Sequence, residues 1–247
     1  MHPIHVLWAT PRSTSTAFEW MMRMRGDMTC FHEPFGECWY QGDDAMWPRL
    51  EADSPRQPGL TFQVVLDRLK AAAEERPVFS KDMPQFTDHL WSDDFLANFN
   101  HSFLIRDPAK VLTSVHRNWP HFVMKEIGFI ELRDLFDRMS DKHGAPLPVI
   151  DSDDLLQDPH GIVKAYCEAI GEAFIPEALS WEPGARSEVL WYDKEAVWHK
   201  NLINSYGLKP QPRKDADISK VPDWVKEMYD ACLPIYEYMH RFRLGAA

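Results

Sequence analysis

An apolar run beginning at residue 4 leads directly into a group of side chains that can bind an anion. These side chains are Arg12, Ser13, Thr14, Ser15 and Thr16. If a helix begins here, its free backbone N–H groups and the positive end of its dipole point to the same place. One hydroxyl is enough to cap a helix, and an ordinary cap is the alternative interpretation. Four consecutive hydroxyls after Pro11-Arg12 exceed that need, so the segment predicts a phosphate-binding loop.

A second polar segment follows another apolar strand, predicted over 103–105. Arg106 stands at the carboxyl end of that strand, where ligands bind in open parallel sheets. Asp107-Pro108 then predicts the start of a helix, because proline suits the first helical position. Ser114 lies about two turns into that helix. Arg106 and Ser114 can form a second anion site, although a local Arg106–Asp107 ion pair and a surface hydroxyl remain the alternative.

Together the two segments resemble the sulfotransferase family, whose members take a sulfuryl group from 3′-phosphoadenosine 5′-phosphosulfate. The family's first loop, Pro-Lys/Arg-Ser-Gly-Thr-Thr, binds the 5′-phosphosulfate, and here residues 11–16 read Pro-Arg-Ser-Thr-Ser-Thr, without the glycine. The family's Arg and Ser in an R-[DN]-P-x₅-S setting bind the 3′-phosphate, and they match Arg106 and Ser114. Residues 149–159 resemble a third family segment. The resemblance implies a three-layer, P-loop-like α/β fold with a central parallel sheet flanked by helices.

The resemblance also implies catalytic roles. In sulfuryl transfer an acceptor hydroxyl or amine attacks sulfur, so a base must take a proton and cations must balance charge on the leaving oxygen. Arg12 matches the cation by family position, and as an arginine it keeps its proton. Glu33 is the first candidate for the base, followed by His32 and then by Asp82, which follows Lys81 at the end of a strand. Adjacent strand residues face opposite ways, so one of His32 and Glu33 is expected to face the substrate. Capping carboxylates and a core histidine are the structural alternatives.

Two other functions remain open from the sequence. The missing glycine and the undecided base allow an inactive nucleotide-binding or interaction module. An ATP-dependent phosphotransferase is the third possibility, although the loop lacks the G-x-x-x-x-G-K-[ST] pattern of ATPases. The histidines, including His116 and His121, show no metal-ligand spacing, and a kinase would need magnesium. We therefore predict no metal requirement.

Composition limits the partners. The net charge of −11 argues against nucleic acids and anionic membranes, and it favours a small neutral or cationic acceptor. No apolar run approaches the roughly 20 residues of a membrane helix, and the N-terminus does not read as a secretory signal. Four cysteines without a C-x-x-C pair predict reduced thiols in a cytoplasm. With 45% hydrophobic residues and no linker, residues 1–247 predict a single domain.

Alternating strands and helices predict a parallel sheet covered on both faces. The predicted strands are 4–9, 28–32, 78–80, 103–105 and 147–150. The predicted helices are 14–25, 60–76, 108–117, 121–142, 159–171 and 222–243. Residues 36–58 read as an irregular excursion. The aromatic-rich segment 181–214 predicts either a lid over the adenine or acceptor, or scattered aromatics at the edge of the core.

Overall fold

A five-stranded parallel sheet with the strand order β2-β3-β1-β4-β5 lies at the centre of the molecule. The computed structural model describes residues 1–48, 51–184, 200–213 and 215–245. The strands are β1 Ile4–Ala9, β2 Thr29–His32, β3 Val78–Asp82, β4 Asn100–Ile105 and β5 Val149–Asp151. Because all five strands are parallel, their carboxyl ends meet at one edge, where ligand sites of such sheets form.

Helices cover both faces of this sheet. They are α1 Ser15–Met24, α2 Pro34–Gln41, α3 Phe62–Glu75, α4 Asp93–Leu96, α5 Pro108–Asn118, α6 Phe129–His143, α7 Ser152–Gln157, α8 Pro159–Ile170, α9 Lys200–Ile203 and α10 Asp223–His240. Alternate residues of β1 enter two separate cores: Val6 and Trp8 pack with α2, α3, α5, α6 and α10, while Leu7 packs with α1 and α8. This three-layer α/β arrangement confirms the predicted fold class.

Buried polar contacts fix the central strand. β1 pairs with β3 on one side and with β4 on the other, and every residue of β1 is buried. Trp8 Nε1 donates to His101 Nδ1 of β4 at 2.9 Å. Burial lowers the pKa of His101 to about 4, so its ring is neutral and can accept this bond. The strand that leads into the loop at residues 10–16 is therefore held rigidly.

The prediction of an irregular excursion over 36–58 is wrong at its start. Helix α2 begins at Pro34, where proline loses no intrahelical hydrogen bond. A glycine at position 36 favours a helix break in the sequence, but the residue lies inside α2. Glycine is needed there because a Cβ would come within 2.7 Å of the Phe86 ring. A close side-chain approach, invisible in one sequence, explains this glycine.

Other elements also differ from the sequence predictions. Strand β3 extends to Asp82, so the Lys81 side chain belongs to the sheet. Helix α6 begins at Phe129, after a short 3₁₀ turn and Gly128 with φ of 70°. Helix α7 was not predicted; Asp151 starts it by accepting hydrogen bonds from two backbone N–H groups of its first turn.

The four cysteines are free thiols. Burial raises the pKa values of Cys30, Cys38 and Cys232 to about 12, so these thiols stay protonated. Within the described ranges, the helices are too short or too polar to span a membrane.

Candidate active site

A cavity of about 330 Å³ opens at the carboxyl edge of the sheet. Its polar lining contains seven of the residues that the sequence singled out: Arg12, Ser13, Thr14, Ser15, Thr16, Glu33 and Arg106. They come from the ends of three different strands, as expected for an open parallel sheet. His32, Lys81, Asp82 and Ser114 are not part of this lining.

The loop between β1 and α1 has the backbone shape of an anion-binding turn. Arg12 has φ of 61° and Thr14 has φ of 72°, the left-handed conformation that costs a non-glycine residue about 1–2 kcal/mol. Thr14 occupies the position where the family motif has glycine, and it adopts the conformation that glycine favours. Alternating backbone conformations of this kind direct successive N–H groups toward one point. The absent glycine is therefore replaced by a strained threonine.

Hydroxyl contacts hold that strained turn. Ser13 Oγ donates to the Thr10 carbonyl oxygen at 2.6 Å, and Thr14 Oγ1 lies 2.6 Å from Ser152 Oγ at the start of α7. Ser152 belongs to the third segment that resembles the family, and its contact with the loop was not predicted. Segments 10–16 and 149–159 thus support each other across the sheet edge.

Arg106 and Ser114 lie beside the loop. Arg106 Nη1 donates to the Arg12 carbonyl oxygen at 2.5 Å, and Arg12 Nε donates to Ser114 Oγ at 3.0 Å. Arg106 Nε is buried, and among the described residues none accepts its hydrogen bond. Burial lowers the pKa of Arg106, against the raising effect of nearby Asp153, although an arginine remains charged. A buried charged N–H without an acceptor is the group that a bound anion would satisfy.

Glu33 brings a carboxylate to the opposite side of the cavity. It follows β2 with φ of 45°, a left-handed conformation that directs the chain into α2. Its Oε1 accepts a short hydrogen bond from Nζ of Lys81, whose side chain is fully buried in β3. The Glu33 backbone N–H also donates to the Lys81 carbonyl oxygen at 2.7 Å. The buried ion pair and strand pairing fix the carboxylate at the cavity wall.

The buried side chain of His32 lies between the carboxylates of Glu19 and Glu33. Its Nδ1 is 2.5 Å from Oε2 of Glu19, a fully buried residue of α1, and its Nε2 is 4.0 Å from Glu33 Oε1. Glu19 also pairs with Arg23 at 2.8 Å. Of the two adjacent candidates, Glu33 lines the cavity and His32 does not. Glu19 was missed in the sequence because a glutamate in an amphipathic helix normally faces water.

The carboxylate of Asp82, the third candidate, accepts hydrogen bonds from two backbone N–H groups. Its Oδ2 accepts from the Phe35 N–H at 2.8 Å and its Oδ1 from the Met83 N–H at 3.0 Å. Burial raises the pKa of Asp82 well above its usual value, and these two hydrogen bonds oppose the rise. The geometry matches the capping alternative, because the carboxyl holds the first turn of α2 that follows Glu33.

The buried pairing of Glu19 with His32 and Arg23 predicts an effect on the free energy of unfolding. Burial alone would raise the pKa of Glu19, but His32 and Arg23 outweigh it and lower that pKa. A lowered carboxyl pKa stabilises the fold above the unfolded value of about 4.3, and this stabilisation is lost as pH falls through the folded pKa. Glu19→Gln should reduce the free energy of unfolding at pH 7 by about 3 kcal/mol. The difference from wild type should shrink below about pH 4.

Urea unfolding at several pH values measures this effect. The matched control is Glu74→Gln on the exposed face of α3, which should change the free energy of unfolding little. A Glu19→Gln protein as stable as wild type at pH 7 would contradict the assigned charge pair.

The cavity wall also contains aromatic rings and one further carboxylate. Tyr40, Phe86 and Trp119 line it together with Glu126. Glu126 Oε1 accepts from Trp47 Nε1 at 2.8 Å and its Oε2 accepts from the Val123 N–H at 2.9 Å. The sequence analysis missed Glu126, whose position at the end of a short 3₁₀ turn gives no sequence signal.

The predicted lid over 181–214 is described only in part. Within it, Trp181, Leu208 and Gln211 line the cavity, which places described parts of this segment at the site. Its aromatic residues Trp191, Tyr192 and Trp198 lie outside the described residues.

The fold and the site together define an α/β protein with a cavity at the carboxyl edge of its parallel sheet. A family model described as a sulfotransferase domain matches residues 4–242, and the chain belongs to this sulfotransferase family. The match spans every element that builds the cavity.

One solved structure and two plant proteins are similar to this chain. The sulfotransferase domain of the olefin synthase from Synechococcus PCC 7002 shares the fold, with a TM-score of 0.51 at 14% identity, covering 93% of this chain and 94% of that one. Two Arabidopsis thaliana proteins, the branched-chain-amino-acid aminotransferase-like proteins 2 and 1, are 24% and 22% identical over 97% and 94% of this chain. The chain spans 41% and 40% of their lengths.

Proposed function

We propose that the protein transfers a sulfuryl group from 3′-phosphoadenosine 5′-phosphosulfate to a hydroxyl or amine of a small molecule. The observation that carries this proposal is the buried Arg106 Nε, which finds no acceptor among the described residues and lies directly beside the loop at residues 10–16. Two adjoining anion sites match a donor that has a phosphate on one side of its ribose and a phosphosulfate on the other. A nucleoside triphosphate has no 3′-phosphate, so it would fill only the first site.

The residues fit such a donor from both sides. The backbone N–H groups and hydroxyls of residues 13–16 would hold the 5′-phosphosulfate at the start of α1. Arg106 and Ser114 would hold the 3′-phosphate. Arg12 connects the two sites, because its Nε binds Ser114 and its carbonyl oxygen binds Arg106.

The donor supplies an activated sulfuryl group, and the chain's own residues supply the proton acceptor and the countercharge. Glu33 takes the proton as the acceptor oxygen or nitrogen bonds to sulfur and the bond from sulfur to the bridging oxygen breaks. Arg12 offsets the charge that develops on that bridging oxygen as the 3′,5′-bisphosphate leaves. Lys81 holds the Glu33 carboxylate through a buried hydrogen bond, and Asp82 holds the helix start that follows it.

The binding of 3′,5′-ADP tests the donor site, because this bisphosphate is what remains of the donor after the sulfuryl group is transferred. Calorimetry without added metal should show the bisphosphate binding roughly ten- to a hundredfold more tightly than ATP or 5′-AMP, because only it satisfies Arg106. Equal affinity for ATP would favour the phosphotransferase alternative. Selective binding with no transfer of labelled sulfate to any acceptor in a broad panel would favour the inactive module.

A further inference from the structure

We propose that Ser152, the first residue of α7, positions the donor-binding loop at residues 10–16 through the side chain of Thr14. The inference rests on the proposed sulfuryl transfer, because it concerns the loop to which that proposal assigns the 5′-phosphosulfate. Ser152 is fully buried, and the described cavity lining contains Thr14 but not Ser152. Ser152 is therefore a positioning residue, which acts on the donor site through Thr14.

The backbone of Thr14 adopts a conformation that is unfavourable for threonine. Its φ of 72° and ψ of 5° lie in the left-handed region, which L-residues avoid and β-branched residues avoid most strongly. Glycine adopts this region freely. In this chain a side-chain contact offsets the strain, because Thr14 Oγ1 lies 2.6 Å from Ser152 Oγ. The contact joins two residues that are 138 positions apart in the sequence, so it holds the loop from outside.

The same contact determines where the Thr14 hydroxyl points. Thr14 directly precedes α1, and a threonine in that position normally caps its helix by accepting a hydrogen bond from an N–H group of the first turn. Within the described loop and helix, residues 10–24, the Thr14 side chain makes no such bond. Residues 15–17 of this first turn line the cavity. Because the Thr14 hydroxyl is directed to Ser152, it leaves the N–H groups of that turn for an anion in the cavity.

Neighbouring side chains fix the position of Ser152. Asp151 accepts hydrogen bonds from two backbone N–H groups of the first turn of α7, and Tyr236 Oη of α10 donates to Asp151 Oδ2 at 3.0 Å. Asp153, the next residue after Ser152, forms a buried ion pair at 2.5 Å with Lys110 of α5. The start of α7 is thereby tied to α5 and α10, so the Ser152 hydroxyl contacts Thr14 from a fixed point.

Calorimetry on Ser152→Ala tests the inference. The variant should bind 3′,5′-ADP about 5- to 20-fold more weakly than wild type, because the Thr14 hydroxyl loses its partner and the loop loses its support. Since the loop is assigned to the 5′ end of the donor, 5′-AMP should lose affinity by the same factor. Ser102→Ala, which also removes a buried hydrogen-bonded hydroxyl, is the matched control and should bind both ligands as wild type does.

The Thr14→Gly background separates positioning of the loop from a general loss of structure. Glycine adopts the left-handed conformation unaided, so Thr14→Gly should still bind 3′,5′-ADP. Adding Ser152→Ala to Thr14→Gly should then change the affinity less than about twofold, because no strained threonine remains to be held. A merely structural role of Ser152 would reduce the affinity by the same factor in both backgrounds.

The contradicting results are distinct from a failure of the proposed function. Full 3′,5′-ADP affinity in Ser152→Ala, a loss confined to 3′,5′-ADP, or equal losses in the two backgrounds would each overturn the inference. Loss of bisphosphate binding in Thr14→Gly would also overturn it, because the loop conformation would then not be what the donor needs. Wild-type protein is titrated first, and only its failure to bind 3′,5′-ADP rejects the proposed function. Should Ser152→Ala fail to fold, Ser152→Cys takes its place, because a thiol donates only a weak hydrogen bond.

Discussion

Replacing Glu33 by glutamine is expected to lower kcat for sulfuryl transfer by about two to four orders of magnitude. Glutamine keeps the size of the side chain but cannot accept the proton of the attacking group. The affinity for 3′,5′-ADP should stay within a few-fold of wild type, since Glu33 lies opposite the loop and Arg106. Single-turnover measurement with labelled donor and calorimetry with 3′,5′-ADP separate the two effects.

A glutamate of the same helix supplies the control for Glu33→Gln. Glu37 lies one turn further along α2, outside the cavity lining, where Gln57 donates to it at 2.9 Å. Glu37→Gln should leave kcat nearly unchanged. If Glu33→Gln turns over at the wild-type rate, Glu33 is not the base, and His32→Gln is the next variant. If neither slows transfer, Asp82 becomes the first candidate despite the hydrogen bond that it accepts from Phe35 of α2.

Replacing Arg106 by alanine should weaken 3′,5′-ADP binding by about 2–5 kcal/mol, because a buried charged partner of the phosphate is lost. The arginine also binds the Arg12 carbonyl oxygen, so its loss could loosen the loop as well. Titration of 5′-AMP into the same variant separates these effects. A specific role for Arg106 at the 3′-phosphate predicts that 5′-AMP affinity falls far less than 3′,5′-ADP affinity.

Arg117 provides the matched control for the Arg106 variant. It lies at the exposed end of α5, the helix that carries Ser114, and the cavity lining does not include it. Arg117→Ala should therefore bind 3′,5′-ADP as wild type does. Unchanged bisphosphate affinity in Arg106→Ala, or equal losses for 3′,5′-ADP and 5′-AMP, would remove the assignment of Arg106 to the 3′-phosphate.

Much of the fold could be predicted because the strands bury both faces. β1 is continuously apolar apart from His5, and the residues after it change abruptly to hydroxyls, so the sequence marks both the strand and the loop. The loop and Arg106 were recognisable together because each follows a buried strand, and parallel strands end at one edge. Their contact through Arg12 and Ser114 depends on how β1 and β4 pair, which the sequence analysis did not predict.

Other features of the site depend on contacts that leave no local pattern. Position 36 inside α2 needs glycine because the Phe86 ring leaves no room for a Cβ. Glu19 can be buried because it pairs with His32 and Arg23. Glu126 reaches the cavity from a 3₁₀ turn that the sequence suggested was part of a longer helix. In each case a distant partner overrides the preference of the residue itself, so a single sequence lacks the signal.

The order of the strands has a consequence for how the binding site forms during folding. β1 acquires both neighbours only when chain segments far along the sequence dock, since Val6 pairs with Ser80 on one side and with His101 on the other. Such distant pairings are slow to form. The loop after β1 therefore gains Arg106 only late in folding. A bound bisphosphate is expected to slow unfolding and to leave the early folding steps unaffected, since only the nearly native chain binds it.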